Sequence, residues 1–125
     1  MSAGTAQSGP RIPSLHEVLI PGTEQVELEG VHSSLLTFAA QLAYLHFLLF
    51  GLPLVITSGR DGDHVPTSLH KIGRALDFRT HDKTAEEMQV FLSILAFAAP
   101  GQMCRVFDER IGQGGEHVHV EYHGD

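Results

Sequence analysis

Hydrophobic positions divide the chain into compact blocks separated by glycine, proline and polar runs. Residues 14–19 predict a short helix ended by Pro21-Gly22. Leu35, Leu36, Ala39, Leu42, Ala43, Leu45, Phe47, Leu48 and Leu49 cover most of the circumference of a second helix. Ser33 or Ser34 can cap it, and Gly51 and Pro53 stop it after Phe50. A helix apolar nearly all round is expected to be central. Residues 54–57 form a short apolar, β-branched run, read as a strand feeding a polar loop at residues 58–68. Residues 75–79 alternate, with Leu76 and Phe78 on one face and Asp77 on the other. Thr84-Ala85-Glu86-Glu87 is a capping box that opens another helix. In it Met88, Phe91, Leu92, Leu95 and Ala98 recur at the helical period until Pro100-Gly101. Residues 103–107 predict a strand, and a turn at Gln113-Gly114-Gly115 leads to a last strand over residues 117–123.

This order predicts an α+β domain: a small, mainly antiparallel sheet with helices on one face. The length of 125 residues fits a flexible tail at residues 1–13 and a single domain at residues 14–125. Hydrophobic residues at 42% allow a true core and exclude wholesale disorder. A net charge of -7 argues against a sequence-independent grip on nucleic acid. The lone Cys104 excludes a disulfide framework and ligation of zinc by several thiolates, and reads as a small core residue. The polar opening lacks the apolar core of a signal peptide, so the protein is expected to be cytoplasmic as synthesised. The apolar block at residues 35–50 is short for a bilayer and interrupted by Thr37, Gln41 and His46. No membrane span is expected, and a monomer is.

Nine histidines stand out in a chain without tryptophan. In the last strand His117, His119, Glu121 and His123 share one face, and Val118, Val120 and Tyr122 the other. The apolar face suits a core. The polar face offers either an ordered edge of metal ligands or a solvated strand surface. A second cluster lies in Ser68-Leu69-His70-Lys71-Ile72-Gly73-Arg74-Ala75-Leu76-Asp77. Gly73 permits a turn between His70 and Asp77, and Asp77 interrupts a run that otherwise wants burial. A buried carboxylate needs a compensating cation or hydrogen bonds. A divalent metal held by His70, Asp77 and a strand histidine would supply the former; an ion pair with Arg74 or Arg79 is the plain alternative. Two imidazoles and a carboxylate suit tetrahedral zinc with one position left for water.

The segment from Ser68 to Asp77 resembles the Ser-x-His-x-x-Gly-x-Ala-x-Asp motif of the zinc D-Ala-D-Ala metallopeptidases. Glu116-His117-Val118-His119 resembles the Glu-x-x-His element of the same group. That group includes D-alanyl-D-alanine carboxypeptidases, D-Ala-D-Ala dipeptidases and phage L-alanyl-D-glutamate endolysins. Residues 61–77 are also similar to the hedgehog signalling domain, which shares the fold and zinc site. The resemblance spans about residues 54–122.

The resemblance implies one zinc ion on His70, Asp77 and His119, with Glu116 as general base and His117 near the zinc-bound water. Arg60, in Ile56-Thr57-Ser58-Gly59-Arg60, corresponds to a substrate-contacting arginine; the family often has a residue between that glycine and arginine, and here they are adjacent. Ser68 and His64 are further substrate-side candidates. His117 or Arg60 could stabilise the oxyanion, and Arg60 could instead clamp a substrate carboxylate. Strict alternation puts Glu116 opposite His119, so it must lie in the turn or at a bulge; Glu121, with the right parity, is the fallback base. The expected activity is hydrolysis of peptidoglycan stem peptides or a D-Ala-containing dipeptide, as a D-Ala-D-Ala carboxypeptidase or an L-Ala-D-Glu endopeptidase of the phage or prophage lysis type. A zinc-stabilised binding module without turnover is the rival expectation. His46 reads as a satisfied core histidine, His81 as structural, and His123 as an exposed terminal residue.

Overall fold

The alternation in residues 75–79 and 117–122 fixes which side of the sheet is dry. In the computed structural model, which describes residues 11–61, 68–99, 104–109 and 116–124, these segments pair antiparallel as β3 (Ala75–Arg79) and β5 (His117–Tyr122). Leu76 and Phe78 of β3 and Val118, Val120 and Tyr122 of β5 turn to one side. There they join Leu35, Phe38 and Leu42 of helix α2 (Ser33–Phe50) and Phe91 and Leu95 of helix α3 (Ala85–Ala98) in one buried cluster. Phe38 meets Phe78 edge-on at a centroid separation of 6.3 Å, a favoured aromatic geometry. The other side of β3 and β5 carries the polar residues.

The sheet has five strands in the order β1-β2-β3-β5-β4, with β2 at Leu54–Ser58 and β4 at Cys104–Glu109. The β2–β3, β3–β5 and β5–β4 pairs are antiparallel and β1–β2 is parallel. The fold is therefore α+β with a mixed, mainly antiparallel sheet.

Several local expectations change. The first helix is a single turn, α1 (Leu15–Val18), capped by Ser14, and residues expected to finish it form the short strand β1 (Leu19–Pro21). Pro21 is tolerated because β1 is an edge strand. The cap of α2 is neither Ser33 nor Ser34: His32 holds that position, its Nδ1 accepting from the Ser34 amide at 3.1 Å. Nor is α2 buried all round. Leu35, Phe38, Ala39, Leu42 and Ala43 are sealed, but Leu48 and Leu49 near its C-terminus are exposed, because only one helical layer covers the sheet. By length and composition α2 could cross a bilayer, yet its inner face is part of the core. The capping box at Thr84 forms as expected, although Leu92 of α3 lies outside the core. The predicted turn at Gln113-Gly114-Gly115 and the stop at Pro100-Gly101 lie outside the described residues.

His46 is a core residue but only half satisfied. Its Nδ1 lies 2.7 Å from the Leu52 carbonyl, while Nε2 is buried without a partner between Phe50 and Phe91.

Candidate metal centre

Asp77 and His119 face each other directly in the β3–β5 ladder, so their side chains emerge together on the face away from the core. A 3₁₀ turn at Leu69–Ile72 supplies the third residue. The Ser68 hydroxyl accepts from the His70 amide at 3.2 Å, and Gly73 closes the turn in the left-handed conformation at φ 76°. A side chain at Gly73 would overlap the Gly30 carbonyl. The Gly73 carbonyl also accepts from the His32 amide at 2.7 Å, which fixes the turn against the segment preceding α2. His70 is thereby lowered onto the sheet, its ring centroid 4.8 Å from that of His119.

Three atoms form a closed triangle. Asp77 Oδ1 lies 2.8 Å from His119 Nδ1 and 3.2 Å from His70 Nε2, and the two nitrogens are 3.1 Å apart. Their outer partners determine what these nitrogens present. His70 Nδ1 is 2.7 Å from the Gly59 carbonyl, which can only accept, so the proton of the neutral ring sits on Nδ1 and Nε2 offers a lone pair. His119 has a carboxylate at each ring nitrogen, Glu121 Oε2 2.9 Å from Nε2 and Asp77 Oδ1 2.8 Å from Nδ1; a proton held by Glu121 leaves Nδ1 a lone pair for a cation. With the ring protons on the outer nitrogens, three lone pairs converge on one centre that a cation could occupy. Tetrahedral ligands about 2.0–2.1 Å from zinc stand about 3.3 Å apart, close to the spacing found. His70, Asp77 and His119 could hold a metal ion, and their donor set fits zinc.

Burial works to raise the Asp77 pKa, but the His119, His70 and His117 rings around it outweigh it and hold the carboxyl at about 2. Glu121 is likewise lowered: burial opposes ionisation, and contacts with His119 and His123 overcome it.

The remaining candidates fall in different places. His117 shares the polar face, its Nε2 3.7 Å from Asp77 Oδ2. Ser68 acts as the cap of the 3₁₀ turn. Arg60 is not brought to the triangle: its Nε donates to the Lys71 carbonyl at 3.3 Å and its side chain lies against Gly30. Glu116 lies one residue before β5, its carbonyl accepting from the Thr80 amide at 3.3 Å. The β3–β5 register runs without a shift from Ala75↔Glu121 to Arg79↔His117, so of the two expected places for Glu116, turn or bulge, the described ladder holds no bulge and the residue stands just before the strand. Glu121 is committed to the outward nitrogen of His119 and to His123, which removes it from the place that parity offered it as a base. His64 lies outside the described residues.

Two supports had no clear signature beforehand. The Gly59 carbonyl orients His70, and Asp61 orients Gly59, since one Asp61 oxygen accepts from the amides of Gly59 at 2.7 Å and Glu27 at 2.9 Å. No family model matches the chain, and no curated protein matches it.

Proposed function

We propose that the protein is a zinc-dependent peptidase that hydrolyses peptidoglycan stem peptides next to a D-amino acid. D-Ala-D-Ala carboxypeptidase action is the first choice and L-Ala-D-Glu endopeptidase action the second. The observation that carries this is the triangle of His70 Nε2, Asp77 Oδ1 and His119 Nδ1, three potential metal ligands no more than 3.2 Å apart. The motifs around these residues resemble those of the zinc D-Ala-D-Ala metallopeptidases, and from that resemblance come the substrate class and the hedgehog-like fold.

Zinc in such a site would lower the pKa of a bound water and polarise the scissile carbonyl. Glu116 takes the proton of the attacking water and passes it to the leaving amine. His117, beside Asp77 on the same face, stabilises the charge developing on the carbonyl oxygen. Arg60 reaches substrate only by leaving the Lys71 carbonyl, so its part is secondary.

The rival is a metal-stabilised binding module without turnover. It draws on the unshifted ladder at Glu116, whose parity remains opposite that of His119. Mass spectrometry of muropeptides before and after treatment decides between them. Release of free D-Ala or of new amino termini is expected, and an unchanged muropeptide profile in the zinc-loaded protein would remove the enzymatic reading.

A further inference from the structure

Glu121 has no task in the reaction just described, yet both its carboxylate oxygens are engaged. Oε2 lies 2.9 Å from His119 Nε2 and Oε1 lies 2.9 Å from His123 Nε2. It follows His119 by two places on β5 and therefore shares its face. Across the ladder stands Ala75, whose side chain has no polar group to compete for the carboxylate. Glu121 is partly buried, with its side chain 23% exposed, so its contact with His119 is less screened than an exposed surface pair.

An imidazole is a metal ligand only through a nitrogen that lacks a proton, and a neutral ring carries its one proton on the other nitrogen. His70 has its proton placed by a backbone carbonyl. At His119 a side chain, Glu121, does the equivalent work. Outer-shell carboxylates of this kind fix the tautomer and aim of a ligating ring and raise its basicity.

We propose that Glu121 is a positioning residue of the metal centre: it holds His119 in the tautomer and orientation that present Nδ1 to the metal, and His123 pins the carboxylate from its other side. The proposal rests on the reading of His70, Asp77 and His119 as a metal site. It reassigns a carboxylate that parity alone would offer as a base, and gives His123 a role in holding that carboxylate.

The test compares the full chain with Glu121→Ala, Glu121→Gln and His123→Ala in two measurements. Zinc affinity is read by competition with a chromophoric chelator, and the His119 tautomer is read by nitrogen-15 NMR of the metal-free proteins. Glu121→Ala is expected to weaken zinc binding about 10–100-fold and to turn His119 from the Nε2–H form toward the Nδ1–H form that Asp77 then favours. Glu121→Gln, whose amide oxygen still accepts from Nε2–H, is expected to restore the tautomer and most of the affinity. It also keeps the test decisive should the alanine variant fold poorly. His123→Ala is expected to cost less than Glu121→Ala. Zinc binding at wild-type affinity in Glu121→Ala, with His119 still in the Nε2–H form, overturns the positioning role alone. A wild-type protein that takes up no zinc overturns the metal reading instead, and the two failures are distinguishable.

Discussion

His119 and Asp77 sit opposite each other on adjacent antiparallel strands, with Nδ1 of one 2.8 Å from Oδ1 of the other. Neither atom needs the other as a partner for life in water, and Asp77 is nearly buried. Their approach, completed by His70, creates a centre that could hold a metal ion.

Removing a corner of that centre should therefore remove the metal. Asp77→Ala and His119→Ala are each expected to lose zinc by elemental analysis while the wild type retains it. Zinc content equal to wild type in both variants would show that the ligand set is wrong.

Metal uptake should also be visible as stability. A ligand held only by the folded chain stabilises it by about 2.7 kcal/mol at a hundredfold excess over its dissociation constant. Zinc is expected to raise the melting temperature of the wild type, a chelator to reverse the rise, and Asp77→Ala to show neither effect. Calorimetry with and without metal checks this.

Glu116 separates chemistry from binding. Glu116→Ala is expected to keep zinc yet lose about 10²–10⁴-fold in hydrolysis, the usual contribution of a general base. Unchanged turnover on muropeptides would transfer the proton to another group, with His117 the nearest candidate on the polar face.

His46 sets a pH dependence remote from the metal. Burial between Phe50 and Phe91 pushes its pKa below the ordinary value; the Leu52 carbonyl and Asp82 work against the shift and Lys83 with it. Above about pH 6.5, the ordinary histidine value, the ring is neutral in both folded and unfolded chains and this contribution is fully present. As pH falls below that value the unfolded chain takes the proton first, so stability declines until the lowered folded pKa is passed. Urea unfolding between pH 7.5 and 5 is expected to show this decline in the wild type and a shallower one in His46→Leu. Parallel profiles would exclude the assignment.

Gly73 offers a purely conformational test. At φ 76°, with the Gly30 carbonyl where a side chain would go, Gly73→Ala should cost more than the roughly 1–2 kcal/mol of the left-handed conformation alone. Denaturant titration gives the loss, and weaker zinc binding should accompany it because the same turn delivers His70.

Much of this centre is legible in the sequence because alternation is a strong constraint. Val118 and Val120 must go inward, so His117 and His119 must go outward, and Asp77 between Leu76 and Phe78 meets them. The glycine between His70 and Asp77 marks the turn that closes the triangle. Backbone partners are less visible: the Gly59 carbonyl that orients His70 has no side-chain signature. The direction of Glu121 is also hidden, since parity gives its face but not which nitrogen it meets. In α2 the apolar count predicts burial all round, yet it cannot say which turns lack a neighbour, and Leu48 and Leu49 lie at such turns. His32 escapes notice as a cap because serine is the usual choice and two serines follow it.

The unshifted pairing of β3 with β5 ties the burial of the core to the assembly of the candidate metal centre. Were β5 to slide by a single place, the valines would face water and the imidazoles would enter the oily layer, since strand faces exchange at every step. No half-correct product is then available: a chain misassembled here forfeits its interior and its candidate metal site together. Metal retention would accordingly serve as a proofreading signal for correct assembly of the sheet.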